Sequence, residues 1–328
     1  MVTDRRTVLV VGAGVSGLTT AWELVARGHP VRMIAELPPE WTTSAKAGAS
    51  WGPYALAHPR AVEWCKISYL RLAAMAARND PRYGIRMVDG MEAAKSIVTP
   101  PDWAQWVPSF RLCAPGTVPS GYAMAWKYRL PLVDMSRYLL HLAEKLRTRG
   151  VETASHRVST FTELAGQADV IVNCTGLGAR DLLDDHEVAP VRGQLVVVKN
   201  PGISEFFQEY EDGEDDGGHG YPGEMTYYLP HGPVAVLGGY ASRDGESLVP
   251  SPELRAGIVE RCVAVEPLLA GAEFLADKVG LRPTRTLTRV EHERIGGQHI
   301  VHNYGHGGVG LTLSWGCAAE VARLIKEL

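Results

Sequence analysis

Residues Val8 to Glu36 read V-L-V-V-G-A-G-V-S-G-L-T-T-A-W-E-L-V-A-R-G-H-P-V-R-M-I-A-E. The apolar run Val8 to Val11 is β-branched in character, and Leu18, Ala21, Trp22 and Val25 recur at helical spacing. Between them Gly12, Gly14 and Gly17 stand at G-x-G-x-x-G spacing, so the stretch predicts strand, tight turn and helix. The three glycines serve different ends. Gly12 permits the turn, Gly14 lets backbone approach a pyrophosphate, and Gly17 lets the helix pack close to the sheet. The amides of Val15 and Ser16 at the helix start then face the phosphates. Gly28 stops the helix, and Val31 to Ala35 form a second strand ending at Glu36. Glu36 lies 24 residues beyond Gly12, near the offset of about 20 at which an acidic side chain accepts hydrogen bonds from a ribose. A carboxylate there repels a 2′-phosphate, which favours FAD or NAD over NADP.

The whole chain sets wide bounds. Its 328 residues suit about two domains. With 45% hydrophobic and 21% charged residues and a net charge of −4, nothing electrostatic points to nucleic acid or an anionic membrane. Arg5 and Arg6 before an apolar run imitate a secretion signal, but that run is needed as the first strand. No uninterrupted apolar segment approaches the roughly 20 residues of a membrane span, so a cytoplasmic protein is expected. The five cysteines, Cys65, Cys113, Cys174, Cys262 and Cys317, are scattered and contain no C-x-x-C pair. They read as reduced structural thiols, with no metal site.

Beyond Glu36, the stretch Thr42 to Tyr54 is rich in small residues, among them Thr42, Thr43, Ser44, Gly48, Ala49 and Ser50. Such side chains suit a backbone lying against a ligand. His58 to Ala77 predicts a helix with Trp64 and Tyr69 in the core, and Tyr83 to Ala125 predicts strands of a second domain. A helix over Val133 to Arg149, a strand from Val151 towards Val158 and a short helix return the chain to the first domain. There Asp169 to Gly176 reads as a central parallel strand entering a turn at Thr175 and Gly176, where a cofactor lies. Leu195 to Val198 is a further strand, whereas Gln208 to Gly218, crowded with Glu209, Glu211, Asp212, Glu214, Asp215 and Asp216, reads as a solvated loop placed to cover an opening. Thr226 to Tyr240 predicts two strands around a His231-Gly232 turn, and Ser251 to Glu266 a helix capped by Ser251. Strands follow at Val279 to Arg285, Val290 to Ile295 and His299 to Asn303. Tyr304 to Thr312 is a glycine-rich loop opening a helix over Ser314 to Leu328, a second anion site by the same physics as the first.

The expected fold is therefore α/β, a Rossmann-like FAD-binding domain interleaved with an α+β substrate domain on a mixed or antiparallel sheet. Residues 1–55, 130–192 and 280–328 are assigned to the first, and 56–129 and 193–279 to the second.

Seven stretches carry a more specific likeness. They are G-A-G-V-S-G from Gly12, T-T-S-A-K-A-G-A-S-W-G-P-Y from Thr42, V-N-C-T-G from Val172, R-G-Q from Arg192, Y-Y-L-P from Tyr227, G-L-R-P-T-R from Gly280, and H-N-Y-G-H-G-G-V-G-L-T from His302 with S-W-G-C-A after it. In this order the sequence resembles the D-amino-acid oxidase family of flavoproteins. The resemblance implies noncovalent FAD, with Val158, Thr175, Gly176, Arg282, Gly307, Gly308, Val309, Gly310, Leu311 and Thr312 joining the first-domain residues named above as cofactor contacts. It implies an amino acid fixed at three points: its carboxylate on Arg282, also touched by the Tyr227 hydroxyl, its amino group on the Gly308 carbonyl, and its Cα hydrogen aimed at the flavin. The implied reaction oxidises a D-amino acid by hydride transfer from Cα to flavin N5, giving a 2-oxo acid, ammonia and, with O2, hydrogen peroxide. A further tyrosine of the family falls on Tyr221 or Tyr228. Val309 and Gly52 stand where some relatives carry tyrosine and glutamine. The D-aspartate branch tends to place an arginine at the position of Ala241, so neutral or basic substrates are favoured, although Arg243 is near. D-Aspartate oxidase is the alternative, followed by a non-catalytic FAD-binding sensor; a homodimer is possible.

Overall fold

The computed structural model describes residues 5–54, 56, 58–210 and 223–328. Its first sheet joins β1 (Val8–Val11), β2 (Val31–Ala35), β6 (Thr153–Ser155), β7 (Val170–Asn173), β13 (His292–Ile295) and β14 (Gln298–His302), in the spatial order β13-β14-β7-β1-β2-β6. Every neighbouring pair is parallel except β13 with β14. Parallel strands covered on both faces must be apolar throughout, and β1 and β7 are buried at all positions. Val8 and Val10 face one core, while Leu9 and Val11 face another with Phe161 and Leu164.

The second sheet has nine strands. They are β3 (Ile85–Ala94), β4 (Arg111–Leu112), β5 (Met124–Val133), β8 (Ala189–Lys199), β9 (Phe206–Tyr210), β10 (Glu224–His231), β11 (Val234–Ser242), β12 (Phe274–Arg289) and β15 (Tyr304–His306), in the order β15-β12-β8-β11-β10-β9-β3-β5-β4. It is antiparallel except where β3 and β9 run parallel, which makes the expected mixed sheet. Sheet membership crosses the expected boundaries at 130, 192 and 280, since β5 runs on to Val133, β8 begins at Ala189 and β12 continues to Arg289.

Helices α1 (Val15–Ala26), α2 (Ala61–Ala76), α3 (Met135–Arg147), α4 (Gly178–Leu183), α5 (Pro252–Val265) and α6 (Gly310–Lys326) complete the fold. Asp134 and Ser251 cap α3 and α5 by accepting from the amides of Arg137 and Leu254. Trp64 and Tyr69 are buried, as expected of core residues. Helix α6 starts at Gly310, four residues before the expected Ser314, after a single 3-10 turn at Gly307–Val309. Glycine does not end the helix there because Gly310 has ordinary right-handed dihedrals. The acidic segment also differs at its beginning: Gln208 and Glu209 belong to β9 and are buried, while the expectation for 211–218 lies outside the described residues. Among the described residues no helix is long and apolar enough to cross a membrane.

Helix α6 packs on both α1 and α2. Its Gly316 leaves no room for a side chain, because a Cβ there would lie 2.2 Å from Trp64 Cα and 2.3 Å from Trp64 O. The Ser68 hydroxyl on α2 accepts from the amides of Trp315 and Gly316, both at 3.1 Å. Gly316→Ala should therefore force α2 and α6 apart and cost about 1–3 kcal/mol or more, as overpacking does. Urea unfolding followed by circular dichroism checks this, through a lower midpoint at unchanged slope.

Candidate functional site

Three strands of the parallel sheet, β1, β2 and β7, end at one cavity of about 690 Å³ that continues to the face of the nine-stranded sheet. The switch point of a parallel sheet is where such a fold places a ligand. Glycines let the chain pack closely at the mouth of the cavity. A Cβ on Gly12 would stand 2.4 Å from the Cys174 carbonyl oxygen, and its φ of +114° is one that glycine adopts without strain. Gly14 passes beneath Ser44, whose Oγ accepts from the Val15 amide at 3.0 Å. Helix α1 thus begins at the cavity with no side-chain cap of its own, the arrangement that receives a phosphate.

Gly12, Gly14, Val15, Ser16, Glu36, Thr42, Thr43, Ser44, Gly48, Ala49, Ser50, Val158, Thr175, Gly176, Tyr227, Arg282 and the run Gly307 to Thr312, with Gly308 in it, all line the cavity. Gly17 does not. It faces the turn instead, where a Cβ would meet the Gly12 carbonyl oxygen at 1.9 Å, so its work is packing. Glu36 follows the last residue of β2 and is half-exposed, with Arg157 at 3.6 Å. A pyrophosphate at the α1 start and ribose hydroxyls at Glu36 both find matching groups, and the volume suits a large cofactor. These residues fit FAD.

The second sheet supplies the other wall. Arg282 on β12 lies over β8, and only Gly193 makes this possible: a Cβ there would stand 2.5 Å from Nη1 of the guanidinium. This explains the glycine of the R-G-Q motif. Tyr227 on β10 lies in the same way over Gly238 of β11, its cross-strand partner. Burial pushes the Tyr227 phenol up to about 12, against the pull of the nearby Arg282, so it is a neutral O–H donor. Gly308 sits in the 3-10 turn between β15 and α6.

Tyr228 points to the opposite face of β10 and packs on Phe207 with centroids 5.6 Å apart. It therefore stands away from the cavity, and Tyr221 lies outside the described residues. A different tyrosine lines the wall: Tyr54, whose ring occupies the space left by Gly52. Its hydroxyl donates to Glu92 Oε1 at 3.0 Å and accepts from Gln208 Nε2 at 2.9 Å. Trp126 Nε1 and the Tyr128 hydroxyl donate to Glu92 Oε2 at 2.9 and 3.0 Å. Sequence reasoning missed Gln208, because the acidic run after it hid the strand signal in Phe206–Tyr210, and it missed Glu92, which has no local motif.

The histidines of H-N-Y-G-H are structural. His302 is fully buried against Asn173 at 3.2 Å, and His306 Nε2 meets Asn303 Oδ1 at 3.0 Å. Burial depresses both to about 4, so they stay neutral. Among the described residues no cluster of side chains could hold a metal ion, and all five cysteines are free thiols.

A family model described as FAD dependent oxidoreductase matches residues 7–324. The chain belongs to the FAD dependent oxidoreductase family. This FAD dependent oxidoreductase is 41% identical to the D-amino-acid oxidase of Rubrobacter xylanophilus, over 96% of this chain and 94% of that protein. It is 32% identical to human D-aspartate oxidase, over 99% and 96% of the two chains. In fold it is similar to the glycine oxidase of Geobacillus kaustophilus, with a TM-score of 0.79 at 19% identity, covering 98% and 95%. The likeness drawn from the motifs and the FAD reading both hold.

Burial raises the Glu92 carboxyl from 4.5 to about 7, against the hydrogen bonds that favour its ionised form. The folded protein thus holds this proton more tightly than the unfolded chain. The corresponding stability is complete below about pH 4.5 and is lost as pH rises through about 7. Glu92→Gln should remove this dependence. The variant should gain on the unaltered protein in unfolding free energy across that window and hold a constant difference above it. Denaturant unfolding at a series of pH values measures this, and a difference that is flat throughout would contradict the shift.

Proposed function

We propose that this protein is a D-amino-acid oxidase, converting a D-amino acid, water and O2 to a 2-oxo acid, ammonia and hydrogen peroxide. The observation that carries the reading is the placement of Arg282 and Tyr227 side by side on the cavity wall, each over a glycine of the neighbouring strand. A guanidinium presents its donors in a planar fork that grips a carboxylate at two points. The neutral Tyr227 hydroxyl adds a third donor to the same carboxylate. The Gly308 carbonyl is assigned the amino group. With the carboxylate and the amino group so placed, the hydrogen aimed at the cofactor is the third fixed point, and together they select the D enantiomer.

When bound, FAD supplies the two-electron acceptor that O2 restores. The chain's own residues supply orientation and exclude water, and no side chain is assigned as a general base. Neutral or basic side chains are the proposed preference: position 241 holds a buried alanine, and Arg243 is not among the cavity-lining residues. Five free thiols suit a reducing compartment such as the cytoplasm.

The purified protein should show the visible spectrum of a flavin. Without oxygen, D-alanine should bleach it and L-alanine should not. Bleaching by D-aspartate in preference to D-alanine would move the protein to D-aspartate oxidase, and a flavin that no amino acid reduces would make it a binding protein. Arg282→Ala should lose about 2–5 kcal/mol of transition-state stabilisation, read as kcat/KM for D-alanine, while FAD stays bound. Near-normal turnover by that variant would remove Arg282 from the site.

A further inference from the structure

Four strands of the second sheet align one residue each in a row. Tyr227 of β10 pairs with Gln208 of β9, Gln208 with Glu92 of β3, and Glu92 with Trp126 of β5. Directly paired side chains on one face lie about 5 Å apart at Cβ, so Gln208 is the next group along from the carboxylate-binding Tyr227. It lines the cavity and is itself 4% exposed. Its Nε2 donates to Tyr54, while its Oε1 has no hydrogen-bond partner among the described residues. A buried acceptor left unpaired is destabilising and points to a donor on the ligand.

The orientation of this amide follows from its neighbours. An ionised carboxylate can only accept, so Trp126, Tyr128 and Tyr54 must all donate to Glu92. The Tyr54 hydroxyl has then spent its one proton and can only accept from Gln208. Gln208 must therefore turn its NH2 to Tyr54, which leaves its oxygen for the cavity.

We infer that Glu92 fixes the hydrogen-bonding polarity of the substrate side-chain pocket, acting through Tyr54 and Gln208. The pocket then offers an acceptor and selects D-amino acids whose side chains carry an N–H or O–H donor. This rests on the oxidase reading and deepens it. An apolar side chain leaves Gln208 Oε1 unpaired, and a carboxylate side chain meets an acceptor with a buried acid behind it. Glu92 is a positioning residue, for it touches no substrate. Replacing it by glutamine reverses the chain: the new carbonyl stays with Trp126 and Tyr128, the new NH2 donates to Tyr54, Tyr54 donates to Gln208, and the Gln208 NH2 turns to the cavity.

The test measures kcat/KM at about pH 8.5, where Glu92 is ionised, for D-asparagine, D-leucine and D-aspartate, which are of similar size. The unaltered protein should prefer D-asparagine to each of the others by about tenfold or more, the discrimination that one buried hydrogen bond gives. Gln208→Leu should abolish the preference over D-leucine. Glu92→Gln should raise the ratio of D-aspartate to D-asparagine by about tenfold. Bound FAD and the unfolding temperature record that each variant is folded; if Gln208→Leu fails to fold, the near-isosteric Glu92→Gln decides. Proportional loss on all three substrates in Glu92→Gln overturns the inference, because a merely structural role lowers rates without inverting the order. So does an unaltered protein that treats the three alike while D-alanine still reduces its flavin. Failure of D-alanine and of all three to reduce the flavin overturns the oxidase reading and this inference with it.

Discussion

At the turn after β1, backbone lies against backbone with no space for a side chain between. The Gly12 position abuts the Cys174 carbonyl at the end of β7, and Gly17 of α1 abuts the Gly12 carbonyl in turn. Steric contact of this kind is steep, so it sets the relative positions of two strands and a helix to within a fraction of an ångström. From it follow the central place of β1 and β7, the aim of α1 at the cavity, and the seat of α6, which packs on α1. The Thr19 hydroxyl of α1 donates to the Val15 carbonyl at 2.8 Å and lies 3.3 Å from the Ser314 carbonyl of α6.

The nine-stranded sheet contributes a surface of a different kind. Its strands carry Arg282, Tyr227 and Gln208 on one face, and the cross-strand glycines Gly193 and Gly238 clear the room in which the two largest of these lie flat. A sheet holds such groups more rigidly than a loop can. Polar side chains removed from water are costly unless matched. The wall answers this with a closed set of partners around Glu92, while the Gln208 Oε1 beside it has none among the described residues.

How much of this was legible in the sequence depended on the range of the interaction. Strand β1, helix α1 and Glu36 could be read because turn, helix and terminus follow each other within one continuous stretch. The strand at Val170–Asn173 declared itself by being apolar at nearly every position. Gly193 stood in a quoted motif without a role of its own, because its function depends on a guanidinium nearly ninety residues away, which no local pattern encodes. Glu92 and Gln208 were hidden for the same reason, since only the strand register makes them neighbours. Tyr228 was offered as a site residue because adjacent tyrosines cannot be told apart until the face of β10 is known, and the pleat turns it to the other core.

The cavity wall draws on the first strand at Gly12 and on the last helix from Gly310 onward. Strand β14, at Gln298–His302, also completes the sheet beside β7 only near the end of the chain. During synthesis the amino-terminal turn emerges long before its partners do. Its partners in β14 and α6 follow only from Gln298 onward. The cavity wall as a whole therefore forms only once α6 has docked beside α1.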